Sequence, residues 1–166
     1  MVLINQGRLV DEYNAIKNEF LLYSSSLLLL VAPDPDSLCS CKIFASLLQS
    51  DCISYKIKAV SGYNNLREIN RTMLQNDEIN QDIRTIILFN CGSIEDLFYD
   101  IFENIPDHII IYIFDSHRPY HLNNIREDNE RIRIFDGDNK TLDTYPINIL
   151  DQYNNLRDQY ISLYGD

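Results

Sequence analysis

Three nearly uninterrupted apolar runs, Leu27 to Val31, Thr85 to Phe89 and Ile109 to Phe114, constrain this chain more than any other feature. Each has the length of one strand, and consecutive apolar positions mean that both faces of the strand are covered. Amphipathic segments lie between them. Strand, helix, strand in regular alternation predicts an α/β fold, a mainly parallel β-sheet sandwiched by helices. The runs stop at Ala32-Pro33-Asp34-Pro35-Asp36-Ser37, at Phe89-Asn90-Cys91-Gly92 and at Phe114-Asp115-Ser116-His117-Arg118-Pro119. If the runs are neighbouring parallel strands, Asp34, Asp36, Asn90, Asp115 and His117 converge at the carboxyl edge of the sheet, where open α/β sheets bind ligands and metals.

The remaining elements follow from periodicity. From Arg8 to Tyr23, the residues Leu9, Tyr13, Ile16, Phe20 and Tyr23 make one helical stripe. Pro33 and Pro35 end the first strand, because neither can donate to a sheet ladder. Asp36 is placed to cap a helix running to about Gln49, with Leu38, Cys41, Ala45 and Leu48 inward and Phe44 beside them. Ile53 to Val60 alternates as a strand with one wetter face. Ser61-Gly62 is a turn, a helix runs on to about Leu74, and Gln75 to Asp82 is a polar loop. Ser93 to Phe102 reads as a helix capped by Ser93. Arg131 to Phe135 reads as an edge strand, Asp136 to Asn139 as a turn and Ile147 to Tyr164 as a closing helix. The expectation is one domain over residues 1–166, with its core at about 8–138 and the last helix at about 147–164.

Charge narrows the function. The formal net charge is -11, and the fourteen Lys and Arg are scattered. The densest basic stretch, Arg118, Arg126, Arg131 and Arg133, reads as solvated surface. A chain whose task is gripping duplex DNA carries a basic face, so strong nucleic-acid binding by this piece alone is not expected. Cys39, Cys41, Cys52 and Cys91 form no C-x-x-C pair and read as buried free thiols in a reducing compartment, not as a zinc site. Leu27 to Ala32 falls far short of the roughly 20 residues of a membrane span. No signal-peptide pattern opens the chain, so the expectation is an intracellular, soluble protein.

Two carboxylates two residues apart, between a strand and a helix, suit Mg²⁺ or Mn²⁺. His117 could offer one ring nitrogen to a metal and be oriented through the other. Asn90 is neutral and would contribute only a weak carbonyl oxygen. A nucleotide-binding reading is disfavoured, because Gly92 is the only glycine in the three segments.

These three segments resemble the signature of the DHH phosphoesterase superfamily, which includes the RecJ exonuclease. More closely, the chain is similar to the cell division cycle protein 45 family, whose members have a RecJ-like N-terminal domain. The similarity rests on Ala-Pro-Asp-Pro-Asp-Ser-Leu-Cys-Ser-Cys-Lys-Ile (32 to 43), Ala59-Val60-Ser61-Gly62-Tyr63, Phe89-Asn90-Cys91-Gly92-Ser93 and Phe114-Asp115-Ser116-His117-Arg118-Pro119. It covers roughly residues 8 to 138. By that resemblance, Asp34 and Asp36 fall on the D-x-D positions, Asn90 on an Asp, and Asp115, Ser116 and His117 on D-H-H.

The resemblance implies a degenerate metal site. Asn90 lacks a charge that would offset cation repulsion, and Ser116 lacks an imidazole nitrogen. Asp34, Asp36, Asp115 and His117 could hold one Mg²⁺ or Mn²⁺ weakly, whereas hydrolysis needs two ions about 3.5–4 Å apart. The implied function is therefore a non-catalytic replication initiation factor of the nucleus, without a cofactor, that joins the MCM ring and the GINS complex. Weak contact with single-stranded DNA and no membrane partner are further expectations. The alternative is an active metal-dependent phosphoesterase or single-strand exonuclease. The family is several times longer, so this chain is either an N-terminal domain or a shortened homologue.

Overall fold

A computed structural model describes residues 3–75, 82–126, 129–137 and 148–164. Six strands form one sheet: β1 (Leu3–Ile4), β2 (Ser26–Val31), β3 (Tyr55–Ala59), β4 (Ile83–Phe89), β5 (Ile110–Phe114) and β6 (Ile132–Phe135). Their order is β1-β6-β5-β4-β2-β3, and every pairing is parallel. The helices are α1 (Leu9–Tyr23), α2 (Pro35–Ser50), α3 (Tyr63–Ile69) and α4 (Ile149–Tyr164).

The apolar runs are central strands for the reason the sequence suggests. Leu27 to Leu30 are at most 1% exposed, and alternate residues feed two cores. Leu27, Leu29 and Val31 meet Ile16 of α1 and Cys41, Phe44 and Leu48 of α2. Leu28 and Leu30 meet Leu66 and Ile69 of α3, with Leu97, Ile101 and Phe102, on the opposite face. No two-residue strand such as β1 carries a periodic signal, and the sequence reading missed it.

Several expectations are corrected. Arg131 to Phe135 is not an edge: β1 lies outside β6, so the edges are β1 and β3. Arg131 instead reaches the carbonyl oxygens of Pro106 at 2.8 Å and Ile109 at 3.3 Å, and stacks on Phe98 at 4.5 Å. The helix expected from Ser93 is one π-helical turn, Leu97–Ile101, capped by Asp96, which accepts from the N–H groups of Phe98 and Tyr99. Ser93 is buried outright. In α1 the buried positions are Glu12 and Ile16, because the Tyr112 hydroxyl donates to Glu12 at 3.3 Å and draws that face inward. Leu38 is 59% exposed and does not belong to the inner stripe of α2. Cys39 and Cys52 are exposed, so only Cys41 and Cys91 keep the character of shielded thiols. Most of the expected 75–82 loop, the end of the 136–139 turn and Ile147 lie outside the described residues.

The topology creates a switch point. From β2 the chain runs to β3 on one side, whereas from β4 it runs to β5 on the other. The crevice above β2 and β4 is thus where a doubly wound sheet opens for a ligand. The ladder carries past the strand ends: Ala32 N–H donates to the Phe89 carbonyl at 3.1 Å, and Asn90 N–H to that of Phe114 at 2.8 Å. Residues 32, 90 and 115 therefore stand side by side.

Candidate functional site: a crevice bridged by an amide

Asp34 follows β2 and is the N-cap of α2, with Pro35 at the first helical position. Its Oδ1 accepts from Ser37 N–H at 2.9 Å, and its Oδ2 accepts from the Ser37 hydroxyl. The cap is therefore Asp34, not Asp36. Asp36 is an exposed residue in the first turn of α2. Hydrogen bonds from the Ser37 hydroxyl and N–H, and then from Asn90, hold the Asp34 carboxyl below the usual carboxylate range.

Because that value is depressed, the contribution of Asp34 is complete above the ordinary carboxylate pKa of about 4 and fades as pH falls through the native value. Asn caps a helix about as well as Asp, so Asp34→Asn isolates the charge. Urea midpoints measured at pH 7 and pH 3 are expected to diverge less in Asp34→Asn than in the unsubstituted chain.

Asn90 follows β4 with φ 54°. The left-handed region is one that Asn tolerates better than most residues. Its Nδ2 donates to Asp34 Oδ1 at 3.3 Å. Its Oδ1 accepts from Ser116 N–H at 3.1 Å and from the Ser116 hydroxyl at 3.0 Å. The two residues that depart from the phosphoesterase pattern are thus bonded to each other, and one amide spans from the end of β2 to the end of β5.

Asp115 is buried, and its Oδ1 accepts from His117 N–H at 2.9 Å and lies 2.7 Å from His117 Nδ1. Its carbonyl accepts from the Tyr120 hydroxyl at 2.7 Å and from Arg118 at 2.9 Å. The Arg118 guanidinium stacks on the Tyr120 ring at 3.9 Å and stands 3.6 Å from Asp136 Oδ1. Asp115 Oδ2 is buried and accepts no hydrogen bond.

Two clefts flank this arrangement. The larger, about 640 Å³, is bordered by Asp36, Ser40, Phe114, Ser116, Arg118 and Phe135. The smaller, about 280 Å³, is bordered by Pro33, Ser61, Tyr63, Cys91, Ile94 and His117. Asn90 and Asp115 border both. The sequence reading placed Asp34, Asp36, Asn90, Asp115 and His117 in one crevice. The structure gathers Asp34, Asn90 and Ser116 and pairs Asp115 with His117, but puts Asp36 and His117 on different clefts.

The sequence reading missed Ser37, Tyr120 and Asp136 as parts of this site. Ser37 had a signal, since its N–H lies at capping distance in sequence from Asp34. Tyr120 and Asp136 had none, because tertiary packing alone brings them to Asp115 and Arg118.

Burial, and then the charges of Asp115 and Asp34, push the Cys91 thiol up to about 12. Burial, and then Asp115 and other nearby acids, also raise Tyr63. Cys91 is therefore a protonated thiol and no nucleophile. Titration of the folded chain with a chromogenic disulfide at pH 8 is expected to label Cys39 and Cys52 rapidly. Cys41 and Cys91 are expected to react only on unfolding.

The donor set does not fit a pair of divalent cations. The Asn90 group facing Asp34 Oδ1 is an N–H donor, which offers a metal nothing. Among the described residues, no three His, Cys, Asp or Glu side chains stand close enough together to hold an ion.

The CDC45 family model matches residues 27–161. The cell division control protein 45 homologue of Dictyostelium discoideum is 43% identical over 137 residues, 82% of this chain. The chain belongs to the CDC45 family. A homologue from Schizosaccharomyces pombe is 42% identical over the same share, and the human one is 36% identical over 64% of the chain. These matches cover 20%, 21% and 18% of the relatives, so the chain spans about a fifth of their length. The crystal structure of CDC45 from Entamoeba histolytica superposes with a TM-score of 0.69 at 23% identity, covering 97% of this chain and 35% of that one. The parallel sheet described above is therefore a fold shared with that CDC45 structure. Among the described residues, no helix is long and apolar enough to cross a membrane.

Proposed function

We propose that this chain serves DNA replication initiation in the nucleus as a non-catalytic, RecJ-like platform that engages the MCM ring and the GINS complex. Family membership supports the replication role. The observation that carries the non-catalytic reading is the Asn90 amide, bonded to Asp34 on one side and to Ser116 on the other. An enzyme of the superfamily needs anionic and imidazole ligands there to balance two cations. This chain has exchanged that requirement for a neutral bridge, so Asp34, Asp36, Asp115 and His117 remain as a degenerate set with no cofactor. The helix cap and the bridge give the Asp34 carboxylate a structural task instead.

A rigid parallel sheet with helices on both faces suits a platform, and the -11 charge favours basic protein surfaces over nucleic acid. Contact with single-stranded DNA, if made by this piece, is accordingly weak. The test is co-purification. The tagged chain is expected to retain MCM and GINS subunits at physiological salt, and Asp36→Ala is expected to leave that retention unchanged. Failure to retain either complex, with the fold intact by circular dichroism, would contradict the proposal.

A further inference from the structure

Among the described residues, β3 ends the sheet with its outer side unpaired. Main-chain bonding fixes which way its residues face: Leu27 N–H donates to the Ser54 carbonyl at 3.0 Å, and Val60 N–H to that of Val31 at 2.8 Å. By the two-residue period of a strand, Lys56 and Lys58 bond toward β2 as well. The N–H and C=O groups of Tyr55, Ile57 and Ala59 therefore point outward. Across the ladder their side chains share the face of Leu27, Leu29 and Val31. A groove of about 420 Å³ lies there, with Leu38, Cys41 and Ala45 of α2 on one wall and Tyr55, Ile57 and Ala59 on the other. Among the described residues, Lys42 is the one charged side chain that borders it. Lys56 and Lys58 project from the opposite face of β3, and both are exposed. Three of the five lysines in a chain of net charge -11 thus gather at one edge. None of the three meets a carboxylate among the described residues.

We infer that this edge accepts a strand from a partner protein in which apolar and acidic side chains alternate. The added backbone continues the ladder through residues 55, 57 and 59. Its apolar side chains enter the groove beside Tyr55, Ile57 and Ala59, and its acidic ones fall on the face of Lys56 and Lys58. Lysines on an edge strand hinder indiscriminate pairing, and here they also select the charge of the strand that is admitted. A second copy of this chain is disfavoured, because β3 paired with itself about a twofold axis sets lysine against lysine. Single-stranded nucleic acid meets Lys56 and Lys58 but leaves the outward main chain and the apolar groove unused. The inference is independent of the catalytic question, since none of Asp34, Asn90 and Ser116 borders this groove.

The test is an NMR titration of the isotope-labelled full chain with the acetylated and amidated peptide Thr-Val-Glu-Val-Glu-Val-Thr. One control peptide carries Lys in place of both Glu. Another carries N-methyl groups on the central Val and both Glu, which removes ladder donors in either strand direction. Saturable shifts of the Tyr55, Ile57 and Ala59 amides are expected, with each control at least about tenfold weaker. The exposed double substitution Lys56→Glu with Lys58→Glu is expected to invert the preference in favour of the Lys peptide. Ile57→Pro removes an outward donor without breaking a bond to β2, and is expected to weaken the Glu peptide at least about tenfold at the Tyr55 and Ala59 amides. If the proline variant fails to fold, the lysine pair still decides the matter. Equal binding of the Glu and Lys peptides, undiminished binding of the N-methylated one, or no saturable shift at millimolar peptide would each overturn the inference. So would tighter binding of oligothymidylate at these amides, or their shifting on dilution of the chain alone, which marks a second copy as the occupant.

Discussion

Replacing Asn90 with Asp is expected to lower the melting temperature by about 3–10 °C at pH 7, although the change swaps one atom group of nearly equal size. The amide N–H that meets Asp34 Oδ1 at 3.3 Å becomes a carboxylate oxygen, so a hydrogen bond turns into a contact between two anions. The position is half-buried, which weakens solvent screening of that repulsion. The new pair shares its protons and titrates above the ordinary carboxylate range. Stability of Asn90→Asp is therefore lowest above that raised value and recovers as pH falls through it, the opposite trend to that set by Asp34 in the unsubstituted chain. Millimolar Mn²⁺ is expected to raise the melting temperature of Asn90→Asp and to leave the unsubstituted chain unmoved, because only the variant offers facing anions to a cation. Scanning calorimetry at pH 7 and pH 5, with and without Mn²⁺, reads all of this in one series.

Phe89→Ala is the second large effect, an expected loss of about 3–5 kcal/mol measured by urea unfolding. Phe89 closes β4 and is 2% exposed. It stacks on Phe114 at 5.4 Å and meets Phe44 of α2 edge-on at 6.0 Å, while Phe114 stacks on Phe135 at 4.0 Å. This aromatic layer spans β4, β5, β6 and α2 directly beneath the bridged residues. Removing the ring leaves a cavity at the junction of sheet and helix, where the neighbours are anchored by their own strands and cannot collapse into it. The Ser37 hydroxyl also lies 3.2 Å from the Phe89 carbonyl, so a shifted backbone disturbs the Asp34 cap as well. A loss of that size is a large share of the 5–15 kcal/mol typical of a domain. Phe89→Leu keeps most of the volume and is expected to cost less than half as much.

The sheet was legible in the sequence because its central strands are covered on both faces. Leu27 to Val31 could satisfy no other burial pattern, and the breaks at Pro33, Asn90 and Asp115 marked its carboxyl edge. Elements defined by tertiary contact were not legible. Leu3–Ile4 is too short to show a period, and it exists as a strand because β6 offers an open side. That same pairing turned β6 from an apparent edge into an interior strand, while Arg131 spends its charge on carbonyl oxygens and Phe98. Ser93 and Asp96 are both good caps on paper, and the choice fell to Asp96 because Ser93 is enclosed by the fold. At the site, the sequence named the unusual residues Asn90 and Ser116 but gave no sign that they bond to each other. Asp34 took the capping role expected of Asp36, because Pro35 starts the helix one residue after Asp34. The single crevice became two clefts because the amide bridge stands between them.

On the proposed non-catalytic reading, this bridged crevice is expected to perform no metal-dependent phosphodiester hydrolysis. The most direct test is prolonged incubation of the full chain with Mn²⁺ and end-labelled single-stranded DNA, beside a metal-only control and the Asp36→Ala variant. Label release at the control rate is expected for both proteins. Release above that rate by the unsubstituted chain, abolished in Asp36→Ala, would contradict that reading.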